Sequence, residues 1–262
     1  MSENNSSTTA GTTAGTTAGE TADFGYQTVP RAAKASKVRE VFDSVAPKYD
    51  IMNDLMSLGI HRLWKHDFLN ALDPRPHYRL LDLAAGTGDI TFGWLKRGGG
   101  KVVMSDINDS MLGVGEERAT AKGYLADIEF LVADAEHLPL PSGSFDRISM
   151  AFGLRNCTNK ERVIAEAYRL LKPGGRFFVL EFSQLQIAAL EKLYDAWSFK
   201  ALPRLGQLIA KDADSYQYLA ESIRMFPNQE TLKGMFEGAG FERVTYRNLS
   251  GGIAAIHAGW RL

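Results

Sequence analysis

The sequence predicts an α/β fold: a doubly wound, mostly parallel sheet with an antiparallel C-terminal edge strand and an N-terminal helical cover. Three observations predict it. From about residue 79, short apolar runs alternate with segments of helical period, the pattern of parallel strands joined by crossover helices. The run Leu80-Leu81-Asp82-Leu83 passes into the small-residue turn Ala84-Ala85-Gly86-Thr87-Gly88 and then Asp89-Ile90, which is how a strand delivers a nucleotide-like ligand to a helix entrance. Two closing apolar runs stand so near each other that they fit an antiparallel pair at the sheet edge.

Residues 1–22 are of different material. Thr8-Thr9-Ala10-Gly11 recurs as 12–15 and 16–19, with no large apolar side chain after Met1, so a disordered tail is expected. It lacks the apolar core of a secretory signal, and its first arginine is Arg31, which argues against a transit peptide. Residues 23–262 then read as one domain. Val38, Val41, Phe42 and Val45 share a helical face until Ala46-Pro47 breaks it, and Leu55, Leu58, Ile60, Leu63, Trp64, Phe68 and Leu69 mark a second helix before Asp73-Pro74-Arg75-Pro76. These two form the cover, 23–78. Strands follow at 79–83, 101–105, 128–132, 145–151 and 175–182, separated by helices at 88–97, 109–122 and 158–171. A helical insertion spans 185–226, then a helix near 229–239 and strands at 241–248 and 252–259. Leu171-Lys172-Pro173-Gly174-Gly175 reads as a helix stop and turn.

Composition bounds the function. With 30 basic and 31 acidic residues the net charge is −1, so no nucleic-acid partner is indicated. The single cysteine, Cys157, excludes an internal disulfide or a cysteine cluster, and the five histidines show no ligand spacing. No metal is expected. No run approaches the ~18 apolar residues of a membrane span; the expected location is cytoplasmic, with peripheral contact at the inner face of the membrane.

The turn specifies its ligand. Asp106 closes the run Lys101-Val102-Val103-Met104-Ser105 and lies 20 residues past Gly86, where an acid after the second strand accepts both ribose hydroxyls. The third glycine that would close backbone on a pyrophosphate is missing, and Asp89 stands at the helix entrance, repelling one. A nicotinamide-dependent oxidoreductase is thereby disfavoured, and S-adenosylmethionine, with its sulfonium and ammonium groups, suits the site. Gly86 and Gly88 permit close approach and positive φ. Thr87 offers a hydroxyl to the amino acid moiety, and Asp82 faces the ammonium side. After the third strand Asp134 accepts from the adenine amino group or is a solvated loop residue, while Ala135 leaves room for the ring. After the fourth, Arg155 and Asn156 suit a phenol or its anion, Asn156 being alternatively a cap for the next helix.

These motifs, with Leu171 to Gly175, resemble the Rossmann-like class I S-adenosylmethionine-dependent methyltransferases. More narrowly, Phe42-Asp43-Ser44-Val45-Ala46-Pro47-Lys48-Tyr49-Asp50, Gly59-Ile60-His61-Arg62-Leu63-Trp64-Lys65, Phe152-Gly153-Leu154-Arg155-Asn156 and Asp212-Ala213-Asp214-Ser215-Tyr216 are similar to the ubiquinone/menaquinone biosynthesis C-methyltransferases. The resemblance covers residue 24 to the end. It implies methyl transfer to a ring carbon of a polyprenylated quinol: a 2-methoxy-6-polyprenyl-1,4-benzoquinol, demethylmenaquinol, or both. It also implies that Thr87, Asp106, Asp134 and Ala135 contact the cofactor. Ala151 stands where many relatives carry a cofactor-contacting serine, and Ala84 where the superfamily has a glycine.

A ring carbon becomes nucleophilic when the neighbouring phenol loses its proton. Arg155 with Asn156 would stabilise the phenolate, and Tyr49, Asp50 and His61 in the cover are candidates to accept the proton, His61 being as readily a satisfied polar residue beside Trp64. The polyprenyl tail needs an apolar exit. The stretch 193–209 mixes aromatics and leucines with Lys200 and Arg204, as an interfacial helix would, although core or homodimer packing explains it as well. Membrane contact, a homodimer or a quinone-synthesising assembly are the partners this implies. Methylation of another small lipophilic acceptor, or cofactor binding without catalysis, are the alternative functions.

Overall fold

A computed structural model describes residues 21–45, 57, 59–186 and 213–262. Tyr49, Asp50, most of the N-terminal tail and the 193–209 stretch lie outside the described residues. The chain there opens on an unexpected hairpin, β1 (Thr21–Phe24) and β2 (Gln27–Pro30), joined through Gly25 at φ +60°. Thr21 and Ala22, assigned to the tail by composition, thus belong to the folded part. The hairpin is held from outside: Phe24 stacks on Tyr218 at 4.3 Å, and the Tyr26 N–H donates to Glu221 Oε2 at 3.0 Å.

The cover helices are α1 (Arg31–Val45) and α2 (His61–Leu72). Then come β3 (Leu80–Leu83), α3 (Asp89–Lys96), β4 (Val102–Asp106), α4 (Asp109–Lys122), β5 (Ile128–Val132), β6 (Phe145–Ala151), α5 (Lys160–Leu170) and β7 (Leu171–Phe182). The chain ends with α6 (Ala213–Met225), α7 (Gln229–Gly238), β8 (Glu242–Leu249) and β9 (Ala254–Arg261).

The remaining seven strands form one sheet in the order β5-β4-β3-β6-β7-β9-β8, parallel throughout except at β9, which runs antiparallel to both neighbours. The antiparallel pair closes the sheet as expected, with the last strand inserted inside β8. β7 begins four residues earlier than the glycines suggested: Leu171 pairs with Phe145, the register slips, and pairing resumes at Arg176, so the Lys172–Gly175 turn is a bulge within the strand.

Strand alternation sends side chains to two cores. Leu80, Met104, Phe178, Leu180 and Ile256 join Trp64, Phe68 and Trp94 on the face of α2 and α3, while Leu81, Leu83, Val103, Phe177 and Val179 meet Val163, Ile164, Leu232 and Phe236 of α5 and α7. With both faces covered, the inner strands β3, β4 and β6 are buried almost throughout, as parallel sheets require, whereas the edge strand β8 is largely exposed. Polar residues are therefore informative where they interrupt a strand or follow its carboxyl end.

Candidate active site

The carboxyl ends of β3, β4, β5 and β6 open into a cleft roofed by Ala35, Val38 and Arg39 of α1. Such clefts form where strand order reverses direction, here between β3, whose chain continues outward to β4 and β5, and β6 on its other side. Arg39 Nη2 donates to the Ile107 carbonyl at 2.9 Å and Lys34 Nζ to the Cys157 carbonyl at 3.1 Å. One helix face thereby ties to both walls of the cleft. Burial lowers the Lys34 ammonium to about 8 and pushes the Cys157 thiol up to about 12.

Asp106 ends β4 at the cleft. Its Oδ2 accepts from the Gly86 N–H at 2.8 Å and its Oδ1 from the Asn108 N–H at 2.9 Å, while burial raises its pKa. Those backbone donors fix the carboxylate and leave it lone pairs for two hydroxyls. Gly86 sits at φ +57° and Gly88 at φ +90°, and a Cβ on Gly88 would meet Phe92 at 2.9 Å and the Met104 side chain at 3.1 Å. Ala84 adopts φ +48°, and its methyl occupies the space beside Gly153, where a Cβ would approach it to 2.5 Å. The alanine is accommodated because position 153 has no side chain. Asp134 and Ala135 line the same cleft, with Asp134 Oδ1 held by the Glu136 N–H at 2.9 Å. Ile107, Met111, Ala133 and Phe152 give it apolar walls. An adenosyl group fits this lining: a carboxylate fixed by backbone donors for the diol, a second acid, and apolar side chains for the ring.

A second cavity of about 360 Å³ shares Ala84 and Phe152 with the cleft and is otherwise lined by Lys65, Asp82, Ala85, Thr87, Asp89, Ile90 and Ala151. Asp82 is almost fully buried. Its Oδ2 accepts from the Thr91 hydroxyl at 2.8 Å and the Thr91 N–H at 3.1 Å, and its Oδ1 from the Ser149 hydroxyl at 2.7 Å. Burial outweighs these bonds and pushes its carboxyl up to about 6. Asp82 is thus committed first to pinning β3 against α3 and β6. Asp89 corrects the charge argument made from sequence. Lys65 Nζ lies 2.7 Å from one oxygen and Arg118 Nη2 3.0 Å from the other; although burial opposes its charge, these cations hold its carboxyl below the ordinary range. The entrance therefore presents no uncompensated negative charge. Arg118 Nη1 also donates to the Thr87 hydroxyl at 2.7 Å and the Thr87 carbonyl at 3.2 Å.

Arg155 is the principal correction. Among the described residues it lines neither cavity. Its guanidinium is buried against Glu181, with Nη1 2.8 Å from Oε1, and it also donates to the Phe152 carbonyl. A charge neutralised in the interior is not presented to a substrate phenolate. Asn156, by contrast, faces the cleft, and its Oδ1 accepts from the Tyr218 hydroxyl at 3.1 Å. The cap of α5 is Asn159, whose side chain accepts from the Arg162 N–H, so Asn156 is not a cap. Tyr218, whose pKa burial raises, had no signal in the sequence, since its partner is 62 residues away. His61 is buried with Nδ1 2.8 Å from the Ser57 hydroxyl, the satisfied polar residue of its dull reading. Among the described residues no group of side chains could hold a metal ion, and no helix is long and apolar enough to cross a membrane.

Residues 31–261 match the model of the ubiE/COQ5 methyltransferase family. The chain belongs to that family. It is 68% identical over 240 residues to the ubiquinone/menaquinone biosynthesis C-methyltransferase UbiE of Acidiphilium cryptum, covering 92% of this chain and 96% of that one. It is 55% identical to the protein of the same name from Edwardsiella ictaluri, covering 91% and 96%. Solved structures share the fold: a SAM-dependent methyltransferase from Aquifex aeolicus has a TM-score of 0.58 at 18% identity, covering 87% of this chain and 98% of that one. The [4+2]-cyclase SpnF has 0.60 at 20%, covering 84% and 76%. Two different names on one architecture show that the fold alone does not fix the reaction. Membership of the ubiE/COQ5 family is what makes this chain a methyltransferase.

Proposed function

We propose that the protein transfers a methyl group from S-adenosylmethionine to a ring carbon of a polyprenylated quinol, with the 2-methoxy-6-polyprenyl-1,4-benzoquinol and demethylmenaquinol as acceptors. One observation carries the cofactor reading: Asp106, held by the Gly86 N–H, borders the same cleft as Asp134 and Ala135. Family membership and the names of the relatives support the reaction and the acceptor. S-adenosylmethionine supplies an electrophilic methyl group on a sulfonium. The chain's own task is alignment in a dry site and management of the phenol's proton. Asp106 takes the ribose, Asp134 the adenine amino group, and Ala84, Ala135 and Ala151 give close approach. Gly86 and Gly88 shape the turn that meets the cofactor, Thr87 donates its hydroxyl to the amino acid end, and Asp82 lies on the ammonium side.

Toward the acceptor, Asn156 lines the cleft and its Oδ1 is taken by the Tyr218 hydroxyl, which leaves the amide N–H pair as the donors for a phenolate oxygen. Arg155 becomes a positioning residue: with Glu181 it fixes the 152–156 turn that carries Asn156. Proton acceptance falls to Tyr49 or Asp50, which Tyr49→Phe and Asp50→Asn distinguish by their pH–rate profiles. By composition alone, the 193–209 stretch is the candidate for the apolar exit of the substrate tail and for peripheral contact with the inner face of the membrane, with a homodimer or a quinone-synthesising assembly as further partners. Co-sedimentation with anionic and neutral liposomes tests that placement.

The test of the function is label transfer from methyl-labelled S-adenosylmethionine to short-chain demethylated benzoquinol and naphthoquinol under reducing conditions. Label in a ring methyl is expected. Cofactor binding with no transfer to either would overturn the acceptor assignment in favour of another lipophilic acceptor or a non-catalytic scaffold.

A further inference from the structure

We propose that Lys65, on the cover helix, is the residue that selects the cofactor by its carboxylate: the smaller cavity seats a zwitterionic α-amino acid group and Lys65 takes its anionic end. This rests on the reading that the larger cleft holds the adenosyl group.

The two cavities meet at Ala84 and Phe152, so a ligand filling both passes that junction with one end in each. The larger end carries Asp106, Asp134 and Glu136 against the single cation Arg39, which donates to the Ile107 carbonyl, and so disfavours a carboxylate. The smaller end has the charge pattern of a zwitterion's complement. Lys65 and Arg118 flank the carboxylate of Asp89 at 2.7 and 3.0 Å, and Asp82 also lines the cavity, so it presents both a cation, at the start of α3 where the helix dipole favours a ligand anion, and an anion for the ammonium. Of these two cations only Lys65 lines the cavity. An ammonium has three protons; Asp89 Oδ2 takes one, and the others are available to a ligand carboxylate.

The position of Lys65 is fixed. Its side chain is 14% exposed, and the adjacent Trp64 is buried, donating to the Ser250 hydroxyl at 2.9 Å and packing against Phe152 at 6.3 Å and Phe182 at 5.9 Å. The same ring that bounds the junction thus docks α2, and docking α2 delivers Lys65. Thr87, whose hydroxyl already accepts from Arg118, carries no charge to balance the ligand's anion. Lys65 does, and it comes from outside the sheet that forms the adenosyl cleft. The cover helix therefore completes the cofactor site.

The test is calorimetric titration of S-adenosylhomocysteine and of 5′-methylthioadenosine, which lacks the amino acid group, into wild type, Lys65→Met and Lys65→Arg. The expected result is a loss of about 10- to 100-fold in S-adenosylhomocysteine affinity for Lys65→Met, methylthioadenosine affinity unchanged within about twofold, and recovery of most of the loss in Lys65→Arg. Bound methylthioadenosine shows that the variant is folded. Unchanged S-adenosylhomocysteine affinity, or equal weakening of both ligands, overturns the assignment. Wild type that binds neither overturns the adenosyl reading itself, and the assignment with it.

Discussion

Glu181→Ala should be among the most damaging single substitutions in the chain. Glu181 and Arg155 are 1% and 2% exposed at their side chains and 2.8 Å apart. Removing one member of a buried pair leaves the other charged in a low dielectric, which costs about 3–5 kcal/mol. The upper end applies here, because Glu181 also accepts from the backbone N–H of Phe182 at 2.9 Å and of Arg155 at 3.3 Å. A chain of this size loses roughly 2–4 °C of melting temperature per kcal/mol, so at about 5 kcal/mol the melting temperature should fall by roughly 10–20 °C. Replacing both partners, Arg155→Met with Glu181→Leu, should recover more than half of that loss, since the buried charges go together. A Glu181→Ala melting point within about 2 °C of wild type, or a double variant no more stable than the single, would refute the reasoning. The double variant also separates two roles for Arg155. As a positioning residue its loss leaves measurable methyl transfer, whereas loss of a group stabilising the phenolate directly would cost about 10²- to 10³-fold.

Other consequences are as accessible. Asp82, raised by burial to about 6 against an unfolded value near 3.9, binds its proton more tightly when folded; wild type should therefore lose about 3 kcal/mol of stability as pH rises from about 4 to 6, and Asp82→Asn should lack that slope in urea titrations at stepped pH. Gly153→Ala would put a Cβ 2.5 Å from the Ala84 methyl and should destabilise by about 1–3 kcal/mol, with Ala84→Gly restoring much of it in the double variant. Cys157, whose thiol burial pushes up to about 12, should react with a disulfide reagent at pH 8 far more slowly than a free thiol, and S-adenosylhomocysteine should slow it further because Cys157 lines the cleft; labelling at the rate of an exposed thiol would contradict the burial.

The sheet was legible because its strands are buried on both faces and so stand out as apolar runs; β5 and β6 begin and end where the pattern places them. Residues that line the cleft were legible where they are local in sequence, as at Gly86 and Asp106, or follow a strand, as at Asp134. What escaped is long-range. Asp89 looked like a bare acid because Lys65 and Arg118 lie 24 and 29 residues away in the chain, and Arg155 looked available because Glu181 is 26 residues distant. Asn156 could be read as a cap until Asn159 was seen to take that place. The 21–30 hairpin has four-residue strands that its own sequence scarcely supports; Tyr218 and Glu221, almost two hundred residues on, supply its contacts.

The central claim is that the cleft at the ends of β3 to β6 holds an adenosyl group through Asp106. Calorimetric titration of S-adenosylhomocysteine into wild type and Asp106→Asn tests it most directly, since the substitution keeps the side chain's shape and one accepting oxygen. The account predicts an affinity lower by about 10- to 100-fold, the cost of about one charge-assisted hydrogen bond. Equal affinity in the two proteins would contradict it.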